Sequence, residues 1–146
     1  MSYYERLGCI PTHFVKQVTE KTVPTTYEVR YLSAEAYALK REQLLSGAHV
    51  SLNDRFVRYA AECAVPLAVG NVACVLLIKQ GETARIIELC GENTFETRSA
   101  AASFCGCTTY QTFSQAAQGD CQGMILPLNE TKDRLIKPFD IGLTLD

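Results

Sequence analysis

The groups in this chain with the chemistry to act as nucleophiles are its seven cysteines, and only two histidines, His13 and His49, are available to activate them. One thiol stands out by its neighbours. In Gly119-Asp120-Cys121-Gln122-Gly123 a cysteine sits between two flanking glycines. Such glycines permit a tight turn that exposes the side chain and aims backbone N–H groups at a developing oxyanion. A base for Cys121 has to come from upstream, because both histidines precede it. His49 is the better placed, in the loop Gly47-Ala48-His49-Val50 between two expected helices, where functional groups concentrate. Cys121 with His49 therefore defines one reading, a cysteine-dependent hydrolase or transferase. The plainer reading is a turn before a strand with a partly buried thiol, and it is the preferred one.

The pentapeptide resembles the nucleophile segment of chymotrypsin-like viral cysteine proteases. The resemblance covers these five residues. Elsewhere the chain departs from that family: it has helices where a double β-barrel is needed, it is short, and it has no histidine downstream of Cys121. No residue role is carried over.

Other chemistries find less support. A structural zinc site wants paired short ligand spacings, and only Cys105-Gly106-Cys107 is close-spaced. The remaining ligands would be scattered residues such as Cys90 and Cys121, so no metal is expected. Phosphate-cradling glycine loops of the Gly-x-Gly-x-x-Gly or Gly-x-x-x-x-Gly-Lys type are missing, and no cofactor is expected. Lys40, Arg41, Arg55 and Arg58, with Tyr37 or Tyr59 nearby, sketch a basic face for nucleic acid. Glu35, Glu42, Asp54 and Glu62 dilute it, and a net charge of −2 gives no general attraction, so nucleic acid ranks third. Residues 93–118 hold Phe95, Phe104, Tyr110 and Phe113 among small polar residues with almost no charge, the composition of a contact patch if exposed.

The elements that must position these groups read as follows. Residues 13–18 suggest a short strand and 25–32 a half-buried one by period-2 alternation, with Val23-Pro24 turning the chain between them. Ser33 caps a helix over 34–46 that Gly47 stops. Arg41 interrupts its apolar face, with its stem on the surface and its head in water. Ser51-Leu52-Asn53-Asp54 opens a second helix, with Leu52, Phe56, Tyr59, Ala60 and Cys63 on one stripe and Pro66 as its end. Two β-branched runs, 72–78 and 84–89, joined across Gly81, form a hairpin at the centre of the sheet. Helices over 94–104 and 108–118 follow, then closing strands at 124–128 and 141–145.

The fold expectation is a single α+β domain over 1–146, with an antiparallel or mixed sheet centred on the 72–89 hairpin and helices packed on it. The first ten residues lack the apolar core of a signal peptide, and the longest apolar run, 72–78, is far short of a bilayer span. With an odd number of thiols mostly inside apolar runs, this places the protein in the reducing cytoplasm, away from membranes. The leading functional expectation is a small regulatory, adaptor or inhibitor domain without catalytic activity, which binds a protein partner or itself. It rests on the want of a well-formed catalytic motif.

Overall fold

The computed structural model describes Arg6 and residues 10–47, 49, 51–116 and 120–125. The expected strand at 141–145, the end of the expected strand at 124–128, and Gly119 lie outside these residues. The chain runs β1 (Ile10–Lys21), β2 (Val29–Tyr31), α1 (Ala34–Leu44), α2 (Asp54–Ala60), β3 (Val65–Val69), β4 (Ala73–Gln80), β5 (Thr83–Gly91), α3 (Phe95–Phe104), β6 (Thr109–Ala116) and β7 (Asp120–Ile125). The strands form one seven-stranded sheet in the order β2-β3-β4-β5-β6-β1-β7. Every pairing is antiparallel except β5 with β6, which is parallel. The fold is α+β with helices packed on a mixed sheet, as expected.

The hairpin expected at the centre is there. Residues 73–77 of β4 are buried without exception, because both faces of the strand are covered. Ala73, Val75 and Leu77 pack with Ala100–Ala102 of α3, and Cys74 and Leu76 pack with Tyr37 and Ala38 of α1 and Val57 and Ala60 of α2. Each fully buried aliphatic side chain contributes about 1.5–3 kcal/mol, which makes this strand the main anchor of the sheet. Gly81 turns the hairpin at φ +62 with no positive φ at Glu82, the pattern of a type II′ turn.

The helix starts follow the expected capping chemistry. The Ser33 hydroxyl accepts from the Ala36 N–H at 3.1 Å, and Thr94 and Thr97 form a reciprocal box that starts α3. At α2 the expected box from Ser51 to Asp54 is corrected: the cap is Asn53, whose carboxamide oxygen accepts from the Phe56 N–H at 3.0 Å, and the Ser51 hydroxyl donates to Glu42 instead.

Four further expectations are corrected. β1 and β2 form no hairpin: β2 pairs with β3 at one edge, while β1 lies between β6 and β7. Pro66 does not end a helix. α2 stops at Ala60, and Pro66 sits inside β3, where its carbonyl accepts from the Leu32 N–H at 3.0 Å. With α2 this short, Tyr59 and Cys63 are exposed instead of lying on a buried stripe. Finally, 109–116 is a strand. Thr109, Tyr110, Thr112 and Phe113 are β-branched or aromatic, and the segment finds ladder partners on both sides, in β5 and β1. The capping signal at Thr108 is overridden by those pairings. Among the described residues no helix is long and apolar enough to cross a membrane.

Gly91, at the end of β5, has φ +94, and a Cβ there would meet the Val72 carbonyl oxygen at 2.2 Å. At Gly81 nothing lies within 4 Å of the same position. Gly81→Ala is therefore expected to cost the left-handed backbone penalty of about 1–2 kcal/mol. Gly91→Ala adds a backbone clash, for about 2–5 kcal/mol in all. Urea denaturation of the two variants checks the ranking, and equal losses would contradict it.

Candidate active site

The parallel pair is the distinctive part of this sheet. β5 leads through α3 into β6, and the ladder between the two strands joins only Thr83–Thr109, Ala84–Tyr110 and Arg85–Gln111. Past that point β5 continues to Gly91 and β6 to Ala116, with no further register between them. Ligands of open sheets bind outside the carboxyl ends of parallel strands, and this opening lies at such ends.

A bulge sits beside the opening. Leu77 pairs with Ile86 and Leu76 with Glu88, so Ile87 is an extra residue in β5. The extra residue inverts the alternation. Ile86 packs on the α3 face, while Ile87 and Glu88 both turn to the face of α1 and α2. Without the bulge Glu88 would project into the apolar packing under α3.

On the face where it does project, Glu88 is buried and fully engaged. Tyr37 Oη donates to Oε2 at 2.8 Å, and Arg41 Nε donates to Oε1 at 2.9 Å. Both partners come from α1, and both are 0% exposed. Burial, and then the neighbouring Glu88 carboxylate, hold the Tyr37 hydroxyl well above its ordinary range, so it stays a donor. Burial works against the Arg41 charge, but Glu88 more than offsets it and the guanidinium is held more firmly protonated. Arg41 thus does the opposite of what the sequence suggested: its head is in the core, because a carboxylate is there to meet it.

From Arg41 the charged groups run outward. Arg41 Nη1 reaches Glu42 Oε1 at 3.1 Å, and Glu42 Oε2 faces His49 Nε2 at 3.0 Å and the Ser51 hydroxyl at 3.3 Å. His49 Nδ1 lies 2.9 Å from the Gly47 carbonyl. Both ring nitrogens face acceptors, an arrangement only the imidazolium satisfies twice. The hydrogen bond to Glu42, then that to Gly47, raises the His49 pKa above its ordinary 6.5. The same contact with His49 lowers that of Glu42 below 4.5. The result is a clamp that ties the loop after α1 to the buried pair.

At the far end of β5 the chain turns into α3 through Glu92-Asn93-Thr94. The Glu92 N–H donates to the Val72 carbonyl at 3.0 Å. Thr94 Oγ1 accepts from the Thr97 N–H at 3.2 Å, and Thr97 Oγ1 accepts from the Thr94 N–H at 3.0 Å. Arg98 reaches back to Asn93 Oδ1 at 2.7 Å and across to Glu20 of β1 at 3.5 Å.

The residues singled out in the sequence are scattered by this fold. Cys121 lies in β7, with its backbone opposite Phe14 of β1. α1, which leads into His49, packs on β3 to β5, and β6 and β1 separate those strands from β7. The four aromatic residues do not share one surface. Tyr110 is fully buried and donates to Glu20 at 2.9 Å, with Phe95 packed beside it under α3. Phe113 lies under the Arg85 guanidinium at 5.1 Å, and Phe104 is exposed edge-to-face against Tyr31. Two of the basic residues weighed for nucleic acid are neutralised, Arg41 by Glu88 and Arg58 by Glu35 and Asp54. Cys74 and Cys90 face each other across β4 and β5. Contact with Cys74, then burial, then Glu88 push the Cys90 thiol far up, which makes it inert. Among the described residues no three His, Cys, Asp or Glu side chains are arranged to hold a metal ion.

No family model matches this chain, and no curated protein does. Solved structures do match it in fold. A GCN5-related N-acetyltransferase from Kribbella flavida superposes with a TM-score of 0.52 at 12% identity, over 79% of this chain and 34% of its own. A conserved protein of Enterococcus faecalis V583 described as a probable N-acyltransferase superposes with a TM-score of 0.50 at 16% identity, over 81% of this chain and 36% of its own. The chain thus spans about a third of the length of these neighbours. At such identities the likeness is one of fold. It nevertheless overturns the expectation of a regulatory, adaptor or inhibitor domain without catalytic activity, which rested mainly on missing motifs: these two neighbours are described as an N-acetyltransferase and a probable N-acyltransferase.

Two outcomes test the site's electrostatics. Arg41→Met strands the Glu88 carboxylate in the core and is expected to cost about 3–5 kcal/mol. Combining it with Glu88→Leu costs less than Arg41→Met alone, which denaturation of the double-mutant cycle reads directly. For the clamp, the raised His49 pKa gives stability that is full below pH 6.5 and fades as pH climbs through the raised value. The lowered Glu42 pKa gives stability that is present above pH 4.5 and fades as pH falls through the lowered value. The clamp is therefore strongest between these limits. An NMR titration should place His49 above 6.5, with Glu42→Gln returning it toward 6.5.

Proposed function

We propose that this chain is an N-acyltransferase domain that moves an acyl group from a thioester to an amine at the opening between β5 and β6. The observation that carries the reading is the end of the β5–β6 ladder beside the Ile87 bulge, on a fold shared with an N-acetyltransferase and a probable N-acyltransferase.

The chemistry needed is modest. The amine nitrogen attacks the acyl carbonyl carbon, the C–S bond breaks, the thiolate leaves with the electron pair, and the amine's proton passes to solvent. The barrier lies in the oxyanion that forms on the carbonyl oxygen and in holding the two reactants together. Where the ladder ends, the main chain of two strands borders one gap. A strand N–H at that gap is suited to the carbonyl oxygen, and such a donor contributes about 10²–10³ in rate. The neighbouring edge suits an extended acceptor lying alongside as an added strand.

Glu88, Tyr37 and Arg41 act here as positioning residues. Both carboxylate oxygens are occupied, so the cluster fixes the bulge and does not carry the proton. Acetyl transfer implies acetyl-coenzyme A as donor, and its phosphates call for an anion cradle. The β5–α3 turn, closed by its threonine box and flanked by Glu92 and Glu96, does not fit them, and no step above depends on that group. The free thiols among the described residues support a reducing, cytoplasmic setting.

The test incubates the protein with acetyl-coenzyme A or S-acetyl-N-acetylcysteamine and a panel of primary amines, with products read by mass spectrometry. Acetylated amine formed in proportion to protein, with saturation in amine, is the expected result. No product above the protein-free control with either donor would end the proposal. Glu88→Gln should lower kcat by about tenfold or less, whereas a loss of about 10²–10⁴ would reassign Glu88 to proton transfer.

A further inference from the structure

We infer that the acyl donor of this site is a thioester without a phosphorylated handle, because the turn from β5 into α3 is built to repel polyanions. This inference rests on the acyl-transfer reading. In an open sheet, the helix that follows a parallel strand ordinarily offers its first N–H groups to phosphate. Two of those groups have other partners. Thr94 takes the Thr97 N–H, and Thr97 takes the Thr94 N–H while donating its own hydroxyl hydrogen to the Glu92 carbonyl at 2.8 Å. The charge is also wrong. Glu92 lies two residues before the cap and Glu96 in the first turn, so two carboxylates already compensate the helix dipole. The one cation in the sequence of the turn and the first helical turn, residues 91–98, is Arg98, and it is drawn toward Asn93 and Glu20. The strand end is also closely packed: a Cβ on Gly91 would meet the Val72 carbonyl oxygen, which accepts from the Glu92 N–H. A donor that presents only its acyl group and a neutral thiol arm meets none of these obstacles, because it needs no anion site at the turn and the strand pairing already ends at Arg85 and Gln111.

Binding and turnover test this separately. In an amide NMR titration with coenzyme A up to about 1 mM, the resonances of Glu92 to Thr97 should not shift. Saturable shifts confined to that turn would overturn the inference even if the protein catalysed nothing. In the transfer assay, acetyl-coenzyme A and S-acetyl-N-acetylcysteamine should give kcat/KM values within about threefold of each other. An advantage of tenfold or more for acetyl-coenzyme A, about 1.4 kcal/mol of binding to its nucleotide part, would also overturn it. Failure of both thioesters would count against acyl transfer itself, and the titration would still decide whether the turn accepts phosphate.

Discussion

A carboxylate in the middle of a sheet must be met by a cation at the same depth, or the strand that carries it cannot stay buried. Much of this molecule's architecture follows from meeting Glu88. The bulge at Ile87 turns it toward α1, and α1 supplies Tyr37 and Arg41 on successive turns of one face. The helix is thereby fixed over β3 to β5, and the loop that follows is fixed through Glu42 and His49. A wholly apolar pairing would have packed as tightly but would not have specified which residue of β5 faces the helix. The ion pair ties register, bulge and helix position to one another.

The chain's central hairpin, the Ser33 cap and the third helix were legible because each rests on local chemistry: β-branched runs, a glycine turn and hydroxyl caps. The places of β1, β3 and β6 were not, because a strand's neighbours are a property of the whole sheet. Residues 108–116 carry both a threonine that can cap a helix and β-branched and aromatic residues that suit a strand, and only the edges waiting on β5 and β1 decide between them. The site was half legible. Arg41 breaks an apolar helix face and Glu88 breaks an apolar strand. Two opposite charges that each violate a buried pattern are candidates to violate it together. Reading Arg41 alone sent its head to solvent.

The same lesson applies to function. Nucleophile and metal searches look for side chains at set spacings, and here they drew attention to Cys121 and His49. In the proposed acyl transfer, what the fold would offer is main chain: a ladder that stops while its strands continue, next to an extra residue. Any sequence that keeps the strands and tolerates the bulge can supply it, so it leaves almost no signature in residue type. Side-chain identity matters one layer back, in the groups that hold the bulge still.

The position of β1 between β6 and β7 has a consequence for how the chain reaches this state. This strand pairs with partners roughly a hundred positions later in the chain. It must wait, unpaired, while the hairpin and its helices collapse. β6 meanwhile presents an open edge on the side that β1 will fill. Closing that gap is a long-range step, entropically slow and exposed to pairing with other chains. On a ribosome the waiting strand emerges before both of its partners.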